Sequence, residues 1–356
     1  MKILLISYGD LDYDGRLRSL ISVFSQIGEV YTFTRGSVLM TKQGKICNAS
    51  YIPFIGKAVC YARDIGKFDL LVLDNRKATI PGLLIQILLD PAHTIQDCRE
   101  LYLFNEVHHF AGKVGCVFEK IMARKADIVI CANKERAEIM KKEYGLSKLP
   151  LVYENIRMLR YSSEKEKELA KKRFAPFIKD DEIRIISSSG CSVSRTNDIL
   201  VKNLKNVSKK CHLFLVGNSV AADVQMIKKL AALDTRNTVT ILGQLNQTEL
   251  KYLISQCHIG IVNYGQYDTN NKYCASGKLY EFLYEGIPVV TTTNPPLKRI
   301  CDEEKIGVAD DNYATGISTA LEEYNSFRNN VLKFSKSHTI YKNDSKFANR
   351  LKELLS

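Results

Sequence analysis

The chain of 356 residues is long enough for two domains of ordinary size, and its 45% hydrophobic and 25% charged residues are typical of globular proteins. It has no run of eighteen apolar residues and no CxxC pair among its ten cysteines, which argues against membrane-spanning, zinc-finger and disulfide-framework classes. The net charge of +12 favours anionic partners, but nucleic acid is not predicted, because no reader motif or basic-aromatic interleaving accompanies it.

In the first half of the chain, strand-like and helix-like segments alternate. The opening residues, MKILLISYGD, run directly into a strand pattern and lack the features of a secretory signal, so the cytoplasm is the expected location. A helix pattern follows at residues 14–28. This alternation is typical of a parallel, Rossmann-like sheet. Further strands are predicted at residues 30–36, 69–75, 92–97 and 126–133.

The second half repeats the same style after a polar segment. Residues 157–182 carry mixed charge and no strand-like run, so we interpret them as a linker plus a helix and place the domain boundary after Asn155. The basic tail from residue 327 onward is predicted to be helical. Strands are predicted at residues 183–190, 211–218, 238–244, 258–264 and 287–293.

The excess of basic residues does not by itself mark one binding surface. Many lysines fall in mixed-sign runs such as SSEKEKELAKKRF at 162–174, a pattern typical of a solvated helix face. Binding of a basic protein to the inner leaflet of a membrane, where a lipid-linked acceptor would lie, stays open as an option.

The segment 276–296, SGKLYEFLYEGIPVVTTTNPP, carries the clearest site signal. Ser276 and Gly277 precede a helical run whose first-turn amides can receive an anion, and Lys278 adds a full positive charge beside them. Glu281 follows one turn later, where its carboxylate can accept hydrogen bonds from a diol such as that of a ribose. A nucleoside diphosphate satisfies both features, whereas an ordinary capped surface helix accounts for the pattern without any ligand.

This segment resembles the donor-site signature of retaining GT-B fold glycosyltransferases, particularly family 4, in which a helix Glu binds the ribose of the nucleotide. Glu281 takes that position. A second Glu, eight residues earlier in the usual family pattern, is replaced here by Tyr273. The resemblance implies an α/β protein with two Rossmann-like domains facing across a cleft. It implies an acceptor-binding domain at 1–155, a donor-binding domain at 156–335 and a C-terminal helix at 336–356 that packs back on the first domain.

Loops of the second half match the family's donor site. Gly190 at a strand end and Arg195 after it resemble the loop whose basic residue pairs with the donor diphosphate. The family's Lys six residues beyond that Arg is Val201 here, followed by Lys202, and Lys278 is a candidate replacement. The implied catalytic residues are Arg195, Lys278 and Glu281. The implied donor-binding residues are Gly190, Gly243, Gln244, Leu245, Ser276, Gly277, Lys278, Leu279 and Glu281.

Loops of the first half match the family more loosely. The stretch YGDLDYDGRLRSL resembles a loop that borders acceptor and donor phosphates, although a capped helix explains it equally well. IQDCRELYLFNEVHHF resembles an Asp-x-His-Glu motif with Arg99 in place of the His, and His108 or His109 is a candidate substitute. The implied acceptor or cleft residues are Asp14, Gly15, Arg16, Asp97, Arg99 and Glu100.

The family implies transfer of a sugar from a nucleotide donor to an acceptor hydroxyl, with retention, by a hexosyltransferase of class EC 2.4. UDP-sugar is favoured over GDP-sugar, the acceptor is a saccharide or lipid-linked saccharide, and surface polysaccharide, capsule or lipopolysaccharide synthesis is the expected context. No cofactor and no essential metal are expected. The alternatives are a sugar-nucleotide epimerase of the same fold and a noncatalytic module that binds nucleotide sugar or membrane.

Overall fold

The computed structural model describes residues 1–355, which form two compact units. Unit 1 contains residues 1–155, 268–270 and the segment from Ile340 onward, and unit 2 contains residues 156–267 and 271–339. The chain therefore contributes to unit 1 in three separate stretches. The return to unit 1 begins at 340 where the sequence placed a boundary at 336, and residues 268–270 join unit 1 although the sequence placed them in the second domain.

Unit 1 is built on a seven-stranded sheet of order β3-β2-β1-β4-β5-β6-β7, and every strand pair is parallel. The strand LLVLD at 70–74 is buried at each position, as expected for a strand covered on both faces. The elements are β1 (Lys2–Asp10), α1 (Gly15–Ser25), β2 (Glu29–Arg35), β3 (Gln43–Ile46), α2 (Tyr51–Asp64), β4 (Leu70–Asp74), α3 (Thr79–Leu89), β5 (His93–Asp97), α4 (Phe110–Lys125), β6 (Ile128–Cys131), α5 (Lys134–Tyr144) and β7 (Leu151–Val152).

Unit 2 is built on a six-stranded sheet of order β10-β9-β8-β11-β12-β13, again parallel throughout. Its elements begin with α6 (Glu164–Phe174), β8 (Ile183–Ser187), α7 (Asn197–Leu204), β9 (Cys211–Val216), α8 (Ala221–Ala231), β10 (Thr238–Leu242), α9 (Gln247–Ser255) and β11 (Ile259–Val262). The short helix α10 (Thr269–Lys272) starts in the stretch 268–270 that belongs to unit 1 and ends in unit 2. The elements of unit 2 continue with α11 (Gly277–Tyr284), β12 (Val289–Thr291), α12 (Pro295–Glu304), β13 (Gly307–Ala309), α13 (Tyr313–Glu322) and α14 (Tyr324–Ser337).

The last helix, α15 (Ile340–Leu355), belongs to the core of unit 1. It buries Phe347, Ala348, Leu351 and Leu355, residues spaced to share one face, in the cluster that also holds Leu17 and Leu20 of α1. The Tyr153 hydroxyl donates to the Asp344 carboxylate at 2.7 Å, and the Tyr153 ring lies 4.7 Å from that of Phe347. The predicted helical tail is thus two helices separated by a break at residues 338–339.

Helices cover the two faces of the unit 1 sheet with different partners. One face packs against α1 and α15, and the other packs against α2, α3 and α4. In each sheet the strand order reverses once, between β1 and β4 in unit 1 and between β8 and β11 in unit 2. Ligands of open parallel sheets bind beside such a reversal, at the carboxyl ends of the strands. The topology therefore predicts ligand-binding sites among the residues that follow these four strands.

Candidate functional site

A buried polar network occupies the carboxyl edge of unit 2 where β8 and β11 end side by side. Ser189 Oγ donates to Asn263 Oδ1 at 3.0 Å, and Asn263 Nδ2 donates to Asn197 Oδ1 at 2.9 Å. Asn197 Nδ2 in turn donates to the Gly190 carbonyl at 2.8 Å. Asn197 and Asn263 are buried, so these bonds satisfy amide groups that would otherwise be costly. The network fixes the loop that follows β8 at the point where the strand order reverses.

Gly190 is required by the geometry of that loop. Its φ of +80° lies in the region that favours glycine, and a Cβ at this position would sit 2.3 Å from the Asn218 carbonyl oxygen. Its amide donates to the Val216 carbonyl at 2.8 Å. Gly190, predicted to bind the donor, therefore has a structural role of its own, because its lack of a side chain allows the loops after β8 and β9 to pack in contact.

Arg195 lies on the same loop and presents a positive charge at this edge. Its guanidinium stacks on the Tyr264 ring at 4.0 Å from the centroid. Its Nη1 is buried and has no hydrogen-bond partner among residues 1–355. A buried guanidinium nitrogen without a partner favours an anionic ligand at this position.

The start of α11 has the features expected of an anion site. Ser276 takes the extended N-cap conformation, yet its side chain makes no capping hydrogen bond, and its buried Oγ has no partner among the described residues. The first turn contains no acidic residue. The amides of this turn carry the positive end of the helix dipole. Leu279, predicted in the donor set, is 3% exposed and packs in the core.

Lys278, in this turn, lies within electrostatic reach of Arg195 on the loop after β8. Burial lowers the pKa of Lys278, Glu281 raises it, and the charges of Arg195 and Arg157 lower it further. Two cations held close together at a desolvated edge repel each other, which a bound diphosphate would relieve.

Glu281 is the buried carboxylate of this group. It is 3% exposed, and its Oε1 lies 3.3 Å from Nε of Arg157. Burial raises the pKa of Glu281, while Arg157 and Lys278 act in the opposite direction. A desolvated carboxylate with charged neighbours at a sheet edge is typical of a functional site. Arg157 was missed by the sequence analysis, since it stands in the linker-like stretch, which has no motif.

The loop after β10 contributes Gly243, Gln244 and Leu245. Gly243 is exposed, and a Cβ there would meet no atom within 4 Å, so the protein's own packing does not require glycine at this position. Gln244 Oε1 accepts from Asn218 Nδ2 at 3.0 Å. Through Asn218 this loop adjoins Gly190, which brings the predicted donor-binding residues of β8 and β10 to one edge.

In unit 1, two predicted site residues pair with each other in the interior. Arg16 donates from Nε and Nη2 to the two carboxylate oxygens of Asp97 at 3.0 and 2.8 Å, and from Nη1 to the Tyr153 carbonyl at 2.9 Å. Arg16 is 7% exposed and Asp97 is fully buried. The structure thus places both in the core, and neither lines the cavity of this unit.

Arg99 instead forms ion pairs with two carboxylates at the carboxyl ends of the unit 1 strands. Its Nη1 donates to Asp14 Oδ2 at 2.6 Å, and its Nη2 donates to Asp74 at 2.5 and 2.6 Å. Burial on its own would lower the pKa of Arg99, and the carboxylates of Asp74 and Asp14 outweigh it and raise that pKa. The sequence analysis missed Asp74, although an Asp at the end of the strand LLVLD is a recognisable signal.

A cavity of about 690 Å³ opens at this edge of unit 1. Of the predicted acceptor residues, Asp14, Arg99 and Glu100 line it, and so does His109, whereas Gly15, Arg16, Asp97 and His108 do not. The remaining lining combines aromatic and basic residues with small and polar ones. It includes Tyr8, Arg35, Tyr51, Arg76, Lys77, Tyr102 and Phe110.

Residues 1–355 contain neither a metal-ligand cluster nor a helix suited to span a membrane. No group of three or more His, Cys, Asp and Glu side chains is placed to hold a metal ion. No helix in this range is long and apolar enough to cross a membrane.

Comparison with known proteins identifies the fold. No protein-family model matches the chain, and no curated protein matches it in sequence. Solved structures match along its whole length. HepE of Anabaena in complex with UDP and glucose aligns with a TM-score of 0.73 at 16% identity over 99% of this chain and 100% of its own.

Two further structures give the same picture. WaaG, a glycosyltransferase involved in lipopolysaccharide biosynthesis, aligns with a TM-score of 0.67 at 13% identity over 98% of each chain. The UDP-GlcNAc 2-epimerase of Neisseria meningitidis bound to UDP-GlcNAc aligns with a TM-score of 0.59 at 13% identity over 100% of this chain and 99% of its own. The predicted architecture is confirmed: the chain has the GT-B fold.

Proposed function

We propose that this protein is a glycosyltransferase of the hexosyltransferase type (EC 2.4) that moves a sugar from a nucleoside diphosphate to an acceptor hydroxyl. The observation that carries the proposal is the grouping of Arg195, Lys278 and Glu281 around the uncapped start of α11. Two cations, free helix amides and one buried carboxylate are what a diphosphate joined to a ribose needs.

Each of these groups has a separate task in the proposed donor site. Glu281 accepts hydrogen bonds from the ribose hydroxyls, and the first-turn amides of α11 receive the diphosphate. Arg195 and Lys278 neutralise the charge that grows on the diphosphate as it leaves, and one such donor contributes about 3 kcal/mol to lowering the barrier. Gly190 and the loop at Gly243 bring backbone close to the nucleotide.

The proposed reaction breaks the bond from the anomeric carbon to the phosphate oxygen and forms a bond to the acceptor oxygen. The acceptor proton passes to the departing phosphate, so no side-chain base is assigned, and the anomeric configuration is retained. No metal ion is included in the proposal, because Arg195, Lys278 and the helix amides already supply positive charge at the leaving group.

The donor is proposed to be a UDP-sugar in preference to a GDP-sugar, in line with the UDP or UDP-sugar bound by HepE and by the epimerase. The acceptor is proposed to be a saccharide or lipid-linked saccharide, bound at the unit 1 cavity through Asp14, Arg99 and Glu100. Lipopolysaccharide synthesis, the context of WaaG, is the kind of pathway we propose, at the cytoplasmic face of the membrane.

An epimerase is a weaker candidate because the buried His–Glu pair of unit 2, a potential acid and base, lies far from the proposed donor site. Such an enzyme needs acidic and imidazole groups that converge on one sugar carbon. The buried pair of unit 2, His212 and Glu182, lies at the amino ends of β8 and β9, the edge opposite to Glu281. We therefore do not assign this pair to epimerisation.

Calorimetric titration of UDP, GDP, CMP and NAD tests the donor site directly. We expect one nucleoside diphosphate to bind selectively and Glu281→Ala to weaken it about tenfold or more, equivalent to about 1.4 kcal/mol. The matched control is Glu285→Ala, which removes a carboxylate that pairs with Lys251 at the other end of the same helix. Equal losses in both variants, or no nucleotide binding at all, would overturn the assignment of Glu281.

Product analysis separates the proposed reaction from its alternatives. A glycosyltransferase consumes the nucleotide sugar only when a sugar acceptor, or slowly water, is present. An epimerised donor formed without acceptor would support an epimerase, and an intact donor with every acceptor would support a noncatalytic binding module.

A further inference from the structure

We propose that the unit 1 cavity contains an anion subsite, formed by Arg35 and Lys77 beside Tyr8, that receives a carboxylate or phosphate group of the acceptor saccharide. The inference rests on the proposed function, which identifies the ligand of this cavity as the acceptor. It goes further because it names the acceptor as an acidic saccharide, whereas glycosyl transfer to a hydroxyl does not require a charged acceptor.

Three adjacent strands bring the members of the anion subsite together. Arg35 is the last residue of β2, Tyr8 lies near the end of β1, and Lys77 lies in the short turn of 3-10 helix after β4. All three line the cavity. The guanidinium carbon of Arg35 lies 4.6 Å from the centre of the Tyr8 ring, and Nζ of Lys77 lies 4.7 Å from the same centre. Two positive charges are therefore held at one aromatic ring.

The Tyr8 ring is held in place by its own contacts. It packs edge-on against Tyr51 and Phe54, with centroid distances of 5.4 and 4.9 Å. Its hydroxyl donates to the Ala49 carbonyl at 3.3 Å. The Tyr51 hydroxyl donates to the Lys77 carbonyl at 3.0 Å, which ties the backbone of that lysine to the same aromatic group. The subsite is thus largely preorganised, and preorganisation lowers the cost of ordering groups when a ligand binds.

The two cations of the subsite have unused hydrogen-bond donors. Among residues 1–355, neither Arg35 nor Lys77 forms an ion pair, and neither side chain donates a hydrogen bond. Nε of Arg35 is also buried, so water does not take the place of the missing acceptor. A carboxylate or phosphate supplies the paired oxygens that match a guanidinium. It also relieves the repulsion between two like charges.

The other cations of the cavity are already neutralised by the protein. Arg76 pairs with Glu119 at 2.8 Å. Arg99 pairs with both Asp14 and Asp74. The unpaired positive charge of the cavity wall is therefore concentrated at the anion subsite.

Three further carboxylates near this edge leave the anion subsite unpaired. Glu100 lines the cavity, but it is exposed and forms no ion pair with the two cations. Asp10 lies beside Arg35 in the register of β1 and β2, and its Oδ1 accepts the amide of Asp12. Asp12 in turn accepts the amide and the hydroxyl of Ser37. Neither Asp10 nor Asp12 lines the cavity, so both reduce the local charge without occupying the ligand's position.

The rest of the cavity favours an acidic sugar over a free inorganic anion. Its volume of about 690 Å³ is that of a site for a small organic molecule. Tyr51, Tyr102 and Phe110 line it and offer apolar ring surface. The carboxylates of Asp14 and Glu100 line it as well and can accept hydrogen bonds from sugar hydroxyls. A saccharide that bears one acidic group uses all three kinds of lining.

Ligand-observed NMR titration of the full chain, with UDP added in excess to fill the proposed donor site, tests the anion subsite. The probes are glucose, glucuronic acid, glucose 6-phosphate and inorganic phosphate. The two subsite variants are Arg35→Gln and Lys77→Gln. The matched controls are Arg63→Gln, at an exposed position of α2, and Lys45→Gln. Lys45 likewise lies over a tyrosine, with Nζ 5.6 Å from the centre of the Tyr61 ring, but it does not line the cavity.

We expect the unchanged protein and both controls to bind at least one acidic sugar about tenfold more tightly than glucose, as charge-assisted hydrogen bonds predict. Each subsite variant should lose this preference, while its affinity for glucose and its unfolding temperature stay unchanged. The tighter of the two acidic sugars identifies the recognised group as a carboxylate or a phosphate.

Three results would overturn the anion subsite. The first is equal binding of glucose and both acidic sugars by the unchanged protein, and the second is an equal loss of preference in the control variants. The third is binding of inorganic phosphate as tight as that of glucose 6-phosphate, which would indicate a free-anion site. A chain that does not bind UDP, yet prefers an acidic sugar and loses that preference in Arg35→Gln, would instead count against the proposed donor site and support the subsite.

Discussion

Arg16 and Asp97 form a buried, bidentate ion pair inside unit 1, in which both carboxylate oxygens accept hydrogen bonds from one guanidinium. Removing one partner leaves the other charge buried. We expect Arg16→Ala to lower the free energy of unfolding by about 3–5 kcal/mol, the usual cost of breaking a buried pair. Urea unfolding measures this change, and Arg63→Ala, at an exposed position of α2, serves as the control.

The same variant also separates structure from chemistry at this position. Since Arg16 lies in the core of unit 1 and the proposed donor residues belong to unit 2, the fraction of Arg16→Ala that stays folded should bind UDP as the unchanged protein does. A variant of normal stability with impaired turnover would contradict the interior role.

Lys278→Met should damage recognition of phosphate and leave recognition of the nucleoside intact. Methionine is similar to lysine in length, so the substitution removes the positive charge at the start of α11 and keeps most of the side-chain volume. We expect kcat to fall by about two orders of magnitude, from the loss of roughly 3 kcal/mol of stabilisation at the leaving group. Titration with UDP and with uridine checks the mechanism, because only UDP binding should weaken. Equal losses for both ligands would point to a collapsed site.

The raised pKa of Glu281 predicts a dependence on pH with a definite sign. Because burial raises its pKa above the ordinary 4.5, the folded protein holds this proton more tightly than the unfolded chain. Stability from the protonated form is complete below 4.5 and is lost as pH rises through the folded pKa. We expect Glu281→Gln to stabilise the protein at pH 7 relative to the unchanged chain and to have little effect below 4.5.

Binding should follow the opposite trend at the same residue. An ionised Glu281 accepts the ribose hydroxyls, so UDP affinity should decline as pH falls through the raised pKa, and Glu281→Gln should remove that dependence. Calorimetry across this range provides the check. An unchanged pH profile in Glu281→Gln would show that another group titrates.

Two glycines of the donor edge should respond differently to alanine. In Gly190→Ala the new Cβ meets the Asn218 carbonyl at 2.3 Å with φ at +80°, so we expect a loss of stability of more than about 1 kcal/mol. In Gly243→Ala nothing of the protein lies within 4 Å, so thermal stability should stay unchanged. UDP affinity should nevertheless fall in Gly243→Ala if a base lies against this loop. Unaltered UDP binding would remove Gly243 from the site.

Chelation tests the proposed independence from metal. Since Arg195, Lys278 and the amides of α11 supply the positive charge at the leaving group, turnover should persist in excess EDTA. Restoration of lost activity by one divalent cation would show that these groups are insufficient on their own.

The sequence was informative wherever a function leaves a local pattern. Buried strands such as residues 70–74 are nearly all apolar, which predicts a parallel sheet covered on both sides. Ser276, Lys278 and Glu281 follow one another within two helical turns, so their spacing alone places them together.

The sequence was uninformative wherever distant residues decide a role. Arg16 follows an Asp-Gly that caps a helix, and nothing near it shows that its partner, Asp97, stands 81 residues away. Arg157 reaches Glu281 from a stretch without periodicity. Such pairings depend on tertiary packing between residues far apart in the chain, and a single amino-acid sequence contains no local pattern that indicates them.

The packing of α15 has a consequence for how the protein is made. Tyr153 donates a hydrogen bond to Asp344, and Leu17 shares a core cluster with Phe347. The ribosome adds Asp344 and Phe347 only after residue 339. A fragment that stops at residue 155 would leave the apolar side of α1 open to water. Unit 2, whose residues lie between 156 and 339, can therefore complete its core during synthesis while unit 1 waits for the final helix.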